Sequence, residues 1–315
     1  MGLYKKLTSK KETNTKQKLE IARASLFERL NSKEIQLFKE EIKKQRKPIF
    51  GLIERIEILQ RMPVSKWVKT GVKGFDGLLD KGIPKGTSVL VAGGAGSGKT
   101  IFCLDILNNV ALNEEKSIYI SLEESEIRLK EHMHDFGWNP EELEKKGLLK
   151  IVRVDPFAIA RSVEALLAKA KGELKLDINE VAELIPDNFE PNFVFVDSLT
   201  ALAAAFREEE DSYRIFIEQL FRYFEKLNVT SFLISETEQI PVRYSKSGVE
   251  EFLADGLIVL YHIRRGNIRE HAIEVLKLRG ANHQKKIVAM QIVSGKGLVV
   301  YPEQEIFGGI ELVEK

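Results

Sequence analysis

Short apolar runs alternate with segments of helical period through the middle of this chain. Val89-Leu90-Val91-Ala92, Ser117 to Leu122, Leu148 to Val154, Phe193 to Val196 and Ser231 to Ser235 are apolar stretches of strand length. Runs of that kind form strands covered on both faces. Between them, Ile101 to Leu112, residues 126–135, Ser162 to about Ala170 and residues 212–227 repeat their apolar positions at helical spacing. Beyond residue 255 the alternation stops. Gly256 to Ile263, Glu270 to Leu278, Lys286 to Val293 and Leu298 to Tyr301 read as strands in succession, the last two a hairpin across Ser294-Gly295-Lys296-Gly297. The pattern predicts an α/β fold with a mainly parallel sheet, extended by a C-terminal β-meander. Residues 238–250 read as a loop, and 171–190 fit either a helical insertion or a polar loop. No internal repeat is visible, so one core is expected.

The chain before that core has a different texture. Residues 1–18 carry Lys5, Lys6, Lys10, Lys11, Lys16 and Lys18 among polar neighbours and read as a flexible basic tail. Residues 19–62 place Leu19, Ala22, Leu26 and Leu30, then Ile35, Phe38 and Ile42, then Phe50, Ile53, Ile56 and Leu59 on helical faces. This helical extension has apolar stripes to cover, which leaves an unknown protein partner open for it. Met62-Pro63 marks the expected boundary, with residues 63–315 as one domain.

Composition narrows the class. A net charge of +1 excludes a whole-chain field for nucleic acid. The single cysteine, Cys103, rules out an internal disulfide and suits a cytoplasmic setting. No run approaches the length of a membrane span, and the lysine-rich start has no signal-peptide core.

The chemistry centres on Gly93-Gly94-Ala95-Gly96-Ser97-Gly98-Lys99-Thr100, which fits G-x-x-x-x-G-K-[ST]. Glycines let successive amides of Gly94, Ala95, Gly96, Ser97 and Gly98 curl around one anion. A helix opening near Lys99 adds its positive end. Lys99 brings an ammonium to β/γ-phosphates, and the Thr100 hydroxyl is placed to ligate Mg²⁺. Asp197 ends an apolar strand and is the candidate second Mg²⁺ group. Glu123 and Glu124 end the strand after the first helix, where ligands of open parallel sheets sit. A carboxylate there can orient and deprotonate an attacking water. Lys277 and Arg279 share a strand face and need an anion opposite; a neighbouring subunit's γ-phosphate would serve.

In their order, these motifs resemble the KaiC-like branch of the RecA superfamily of P-loop ATPases. The resemblance rests on Thr70-Gly71 with Phe75-Asp76-Gly77-Leu78-Leu79, Gly82-Ile83-Pro84-Lys85-Gly86, the glycine loop, Leu122-Glu123-Glu124-Ser125 and Phe136-Gly137-Trp138. It continues through Asp197-Ser198-Leu199-Thr200, Phe252-Leu253-Ala254-Asp255-Gly256 and Lys277-Leu278-Arg279-Gly280 with His283. It implies a homo-oligomer, a hexameric ring with ATP between protomers; the leading reading of such a ring is slow hydrolysis serving regulation or assembly. Glu123 would be the general base with Glu124 beside it. Lys277, Leu278, Arg279, His283 and Lys285 would lie near the neighbour's nucleotide. By this reading the sequence holds one ATPase core, where the clock protein is expected to have two. A DNA-acting recombinase or helicase is the second reading, because Arg243, Tyr244 and Lys246 fall in a loop of the channel-facing kind.

Overall fold

The structure is a computed structural model that describes residues 66–169, 178–181, 184–206, 209–265 and 267–306. The readings of residues 1–18 and 19–62, and the boundary between them and the core, lie outside the described residues, as does much of 171–190.

The described chain opens with a short pair, β1 (Trp67–Val68) and β2 (Ile83–Pro84), joined across a 3₁₀ turn at Phe75–Leu78. The Asp76 carboxylate accepts from the Thr70 and Gly71 amides and from the Thr70 hydroxyl, which ties that turn to the strand pair. Then follow β3 (Ser88–Gly93), α1 (Lys99–Leu112), β4 (Ser117–Ser121), α2 (Glu126–Asp135), α3 (Pro140–Lys145), β5 (Leu149–Arg153), α4 (Pro156–Lys169) and a turn of helix, α5 (Ile178–Val181). β6 (Phe193–Asp197), α6 (Leu199–Ala205), α7 (Glu210–Leu227), β7 (Thr230–Glu236) and α8 (Glu250–Leu253) complete the alternating half. The meander consists of β8 (Gly256–Arg265), β9 (Ile268–Leu278), β10 (Val288–Val293) and β11 (Gly297–Glu305).

One nine-stranded sheet runs in the order β11-β10-β9-β8-β3-β7-β6-β4-β5. The stretch from β8 to β5 is parallel, and β8, β9, β10 and β11 pair antiparallel. The expected mixed sheet is present. Of its meander strands, β8 and β9 are longer than the pattern suggested, because they extend past their apolar cores into Arg264, Arg265 and Arg269, whereas β10 starts two residues later than read. Four helical pieces lay outside the expectation, among them the single turn of α8. α4 starts at Pro156 rather than Ser162, since Asp155 accepts from the Phe157 amide (3.0 Å) and proline suits a first helical turn. α3 has the same form, with Asn139 capping the Glu142 amide at 3.1 Å and Pro140 opening the helix. α6 is a short apolar turn capped by Ser198, and helical spacing is hard to read over so few residues.

Each face of the sheet has its own core. α1, α2, α3 and the meander cover one, around Phe102, Leu104, Leu107, Phe195 and Phe232. α4, α6 and α7 cover the other, around Val163, Leu202, Phe216 and Phe224. On the α1 face the aligned residues Tyr119, Phe195 and Phe232 of β4, β6 and β7 stack in a ladder, with centroids 6.1 and 5.2 Å apart. Alternation along β6 puts Asp197 on the same face as Phe195, which aims it at the start of α1.

Candidate nucleotide site

The glycine loop joins the carboxyl end of β3 to α1. Gly96 (φ 74°) and Gly98 (φ 96°) are left-handed, conformations that only glycine takes without strain. Gly98 caps α1, and its carbonyl accepts the first helical bond from the Phe102 amide at 2.8 Å. The amides of Lys99, Thr100 and Ile101 therefore have no acceptor within the helix and stand at its positive end. Lys99 is buried (6% exposed), with Nζ 3.0 Å from the Gly94 carbonyl and 3.8 Å from Glu236. Burial lowers its pKa, while the carboxylates of Glu236, Asp197 and Glu123 push it back up.

Asp197 receives two hydroxyls on one oxygen: Thr100 Oγ1 at 2.9 Å and Tyr119 OH at 2.7 Å. Burial raises its pKa, and those two hydrogen bonds oppose the rise. A hard cation prefers oxygen donors and keeps part of its water shell. The Thr100 hydroxyl and the Asp197 carboxylate, side by side at the helix start, fit such an ion beside a phosphate chain.

The two glutamates separate. Glu123 is exposed, and its Oε1 accepts from the Ser198 hydroxyl next to Asp197. Its charge is felt at both Lys99 and Asp197. Glu124 turns to α2, where its Oε2 lies 3.1 Å from His132 Nε2 and 3.6 Å from Arg128. The structure therefore brings Glu123, Lys99, Thr100 and Asp197 together and directs Glu124 away.

Lys277, Leu278, Arg279, His283 and Lys285 lie elsewhere. Leu278 pairs with Gly256 of β8, which pairs with Val89 of β3, whereas the glycine loop leaves after Gly93. Four residues of strand separate the two levels, about 13 Å. The end of β9 is thus level with the amino ends of the parallel strands, opposite the carboxyl ends where the chain's own loop leaves. The sequence offered no partner for these cations within a protomer, and this is corrected: Lys277 Nζ holds the Glu251 and Ala254 carbonyls (3.0 and 2.6 Å), while Arg279 holds the Phe252 carbonyl (2.9 Å) and lies 3.5 Å from Asp255. Both sit at the carbonyl end of α8, where cations are favoured. The expected common strand face is also revised, since β9 ends at Leu278. His283 bridges to Leu79, and both its ring nitrogens are buried without a hydrogen-bond partner among the described residues. Lys285 is exposed.

Four contributors escaped the sequence reading. Glu236 ends β7 on the face of Phe232, so it reaches Lys99 as Asp197 does from β6. Gln239 Nε2 lies 3.2 Å from the Ala95 carbonyl, and His271 Nε2 lies 3.1 Å from the Gly96 carbonyl. His262 stacks on His271, with centroids 4.4 Å apart and planes within 4°. The signal for the two histidines was a polar residue continuing the core-facing register of Leu260 and Ile273.

Asp105 makes a different contribution. It is buried in α1, accepts from the Leu298 amide and from Asn109 (2.9 Å each), and so pins the β10–β11 hairpin to the helix. Burial lifts its pKa from 3.8 to about 6, against those two hydrogen bonds. A carboxyl with a raised folded pKa gives stability that is fully present below pH 3.8 and is lost as pH rises through about 6. The gap corresponds to roughly 3 kcal/mol. The stability difference between wild type and Asp105→Asn, from denaturant unfolding, is expected to move by roughly 2–3 kcal/mol in the variant's favour between pH 4 and pH 7. An identical difference at both pH values would show that burial does not govern this carboxyl.

Fold and site together define a P-loop ATPase core of the RecA type. Residues 68–305 match the family profile described as "ATPase: KaiC", and the chain belongs to that family. It is 32% identical over 251 residues to "Circadian clock protein KaiC3" of Synechocystis sp., covering 79% of this chain and 47% of that protein. The chain thus spans about half the length of the clock relatives it matches. It is also 32% identical over 244 residues to "UPF0273 protein" of Thermotoga maritima, covering 76% of this chain and 97% of that protein. A solved KaiC-like protein from the hyperthermophilic archaeon Pyrococcus horikoshii superposes with a TM-score of 0.61 at 30% identity, covering 76% of this chain and all of the other. Among the described residues no helix is long and apolar enough to cross a membrane.

Proposed function

We propose that this chain hydrolyses ATP at the interfaces of a homo-oligomeric ring, hexameric by its resemblance, and that nucleotide state governs its assembly. The observation that carries the reading is the split of the machinery across the sheet. The phosphate grip, Thr100, Asp197 and Glu123 sit at the carboxyl ends of the parallel strands, while Lys277 and Arg279 sit about four residues of strand away, level with the amino ends. Two half-sites at opposite ends of the strands suit a head-to-tail arrangement that closes on itself.

In this reading the amides of the loop and Lys99 hold the β- and γ-phosphates. Thr100 and Asp197 would hold Mg²⁺, which supplies charge neutralisation on the phosphate oxygens when bound. Glu123, oriented by the Ser198 hydroxyl, aligns a water with the γ-phosphorus and accepts its proton. Lys277 and Arg279 of the adjacent subunit leave the α8 carbonyls for the γ-phosphate oxygens, with His283 and Lys285 nearby. ATP then contacts two protomers, and a ligand that binds only the assembled form stabilises it. Slow turnover suits a regulatory or assembly role in the cytoplasm.

Native mass with Mg·ATP, with ADP and with neither tests this directly. The mass is expected to rise with ATP. Arg279→Ala should abolish the rise and lower turnover about tenfold, a small share of what a fully engaged arginine finger supplies. A monomer at every ATP concentration would overturn the ring. The DNA-acting reading draws less support, because the Tyr244 side chain is half-buried against the core rather than standing clear for a base to stack on. Strong stimulation of turnover by single-stranded DNA would restore it.

A further inference from the structure

A phosphate loop presents amides to its ligand, so its carbonyls must find partners other than that ligand. Here three successive carbonyls are each met by a side chain from a different element. Gly94 accepts from Lys99 of α1, Ala95 from Gln239 after β7, and Gly96 from His271 of β9. The third contact stands apart, because Gly96 is left-handed (φ 74°) and glycine leaves that peptide more freedom than any other residue would. The peptide plane between Gly96 and Ser97 is held on both sides: its carbonyl by His271 Nε2 at 3.1 Å, its amide by the Gly94 carbonyl at 3.2 Å. Since the peptide unit is planar, fixing one group fixes the other.

His271 is itself held. It lies opposite His262 in the β8–β9 ladder, and the two rings lie parallel at 4.4 Å. His262 also backs the loop, for a methyl built on Gly96 would lie 3.2 Å from its Nδ1. The Gly96 carbonyl only accepts, so His271 Nε2 carries the proton. Burial lowers the pKa of His271, which favours the neutral ring with that one donor.

We propose that His271, braced by stacking on His262, is a positioning residue for nucleotide binding: it locks the Gly96–Ser97 peptide so that the amides at the start of α1 are preorganised for a triphosphate. It touches no phosphate. Its effect is to remove backbone freedom before binding rather than during it, and that appears in affinity more than in turnover. The proposal rests on the reading of the loop as an ATP site.

The test uses the full chain with Mg·ATP, measuring affinity by calorimetry and KM and kcat by phosphate release. His271→Phe keeps a flat ring on His262 and removes the donor. It is expected to raise Kd and KM about tenfold, with kcat changed far less. His271→Gln restores an N–H donor and is expected to recover affinity to within about threefold of wild type. Melting temperatures without nucleotide should stay close to wild type for both. Wild-type affinity in His271→Phe, or a glutamine variant as weak as the phenylalanine one, would overturn the proposal. Lys99→Ala serves as the control on the underlying reading. If it binds Mg·ATP as tightly as wild type, the ATP site itself is misplaced and this proposal falls with it; if it fails to bind, the outcome for the histidine variants stands on its own.

Discussion

Lys99→Ala is expected to weaken ATP binding by about a hundredfold or more and to abolish ATP-dependent assembly. A charge-assisted hydrogen bond to phosphate is among the strongest single contacts a site can make. Lys99 makes its contribution from a buried position, so water does not screen it. Its removal has a second effect. Glu236, Asp197 and Glu123 all act on this ammonium, and without it their negative charge faces the incoming phosphates uncompensated. Lys99→Arg is expected to fail as well, because a planar guanidinium needs room that a side chain 6% exposed does not have. The folded chain without nucleotide should melt near the wild-type temperature, since burying the ammonium is itself unfavourable. Calorimetric titration with Mg·ATP and native mass read the two effects separately. Binding within threefold of wild type would refute the assignment of the loop.

What the sequence disclosed about this site followed from distance along the chain. The glycine loop, its strand and its helix are contiguous, and buried parallel strands show as unbroken apolar runs. The loop and β3, β4, β6 and β7 were therefore readable, as was Asp197 at a strand end. Contacts made by register were not. Nothing in the local pattern says that β9 returns beside β8 at the offset that sets His271 under Gly96, or that the residues after β7 fold back so that Gln239 meets Ala95. Local pattern does not separate Glu123 from Glu124, because both follow the strand, and only the family resemblance favoured Glu123. In the structure their tertiary partners, Ser198 for one and His132 with Arg128 for the other, tell them apart. Lys277 and Arg279, at the end of β9 and just past it, illustrate the reverse error. Their pairing looked unmet because α8, four residues long, falls between the loop read at 238–250 and the strand read from Gly256. The level of β9 against β3 is what gives them significance, and register again decides it.

That separation of the two glutamates leads to a sharp contrast. Glu123→Gln is expected to lower ATP turnover by about 10²–10⁴-fold, the range that a positioned general base supplies. Affinity for Mg·ATP should hold or improve, because the substitution removes a negative charge near Lys99 without disturbing the loop. The amide keeps an oxygen that can accept from Ser198, so the geometry around Asp197 should persist. Glu124→Gln is expected to leave turnover within about threefold, since its partners are on α2 and its loss forfeits only partly exposed ion pairs, each worth about 1 kcal/mol or less. Single-turnover hydrolysis with binding measured alongside distinguishes the cases. If both variants lose turnover equally, the pair acts as a unit and the geometry seen here does not describe the working state. If only Glu124→Gln is inactive, the base has been assigned to the wrong carboxylate. If neither loses turnover, water is activated without either group, and the chain works as a nucleotide-binding switch whose slow hydrolysis follows from phosphate grip and neighbouring cations alone. The ring reading survives that last outcome; the catalytic one does not.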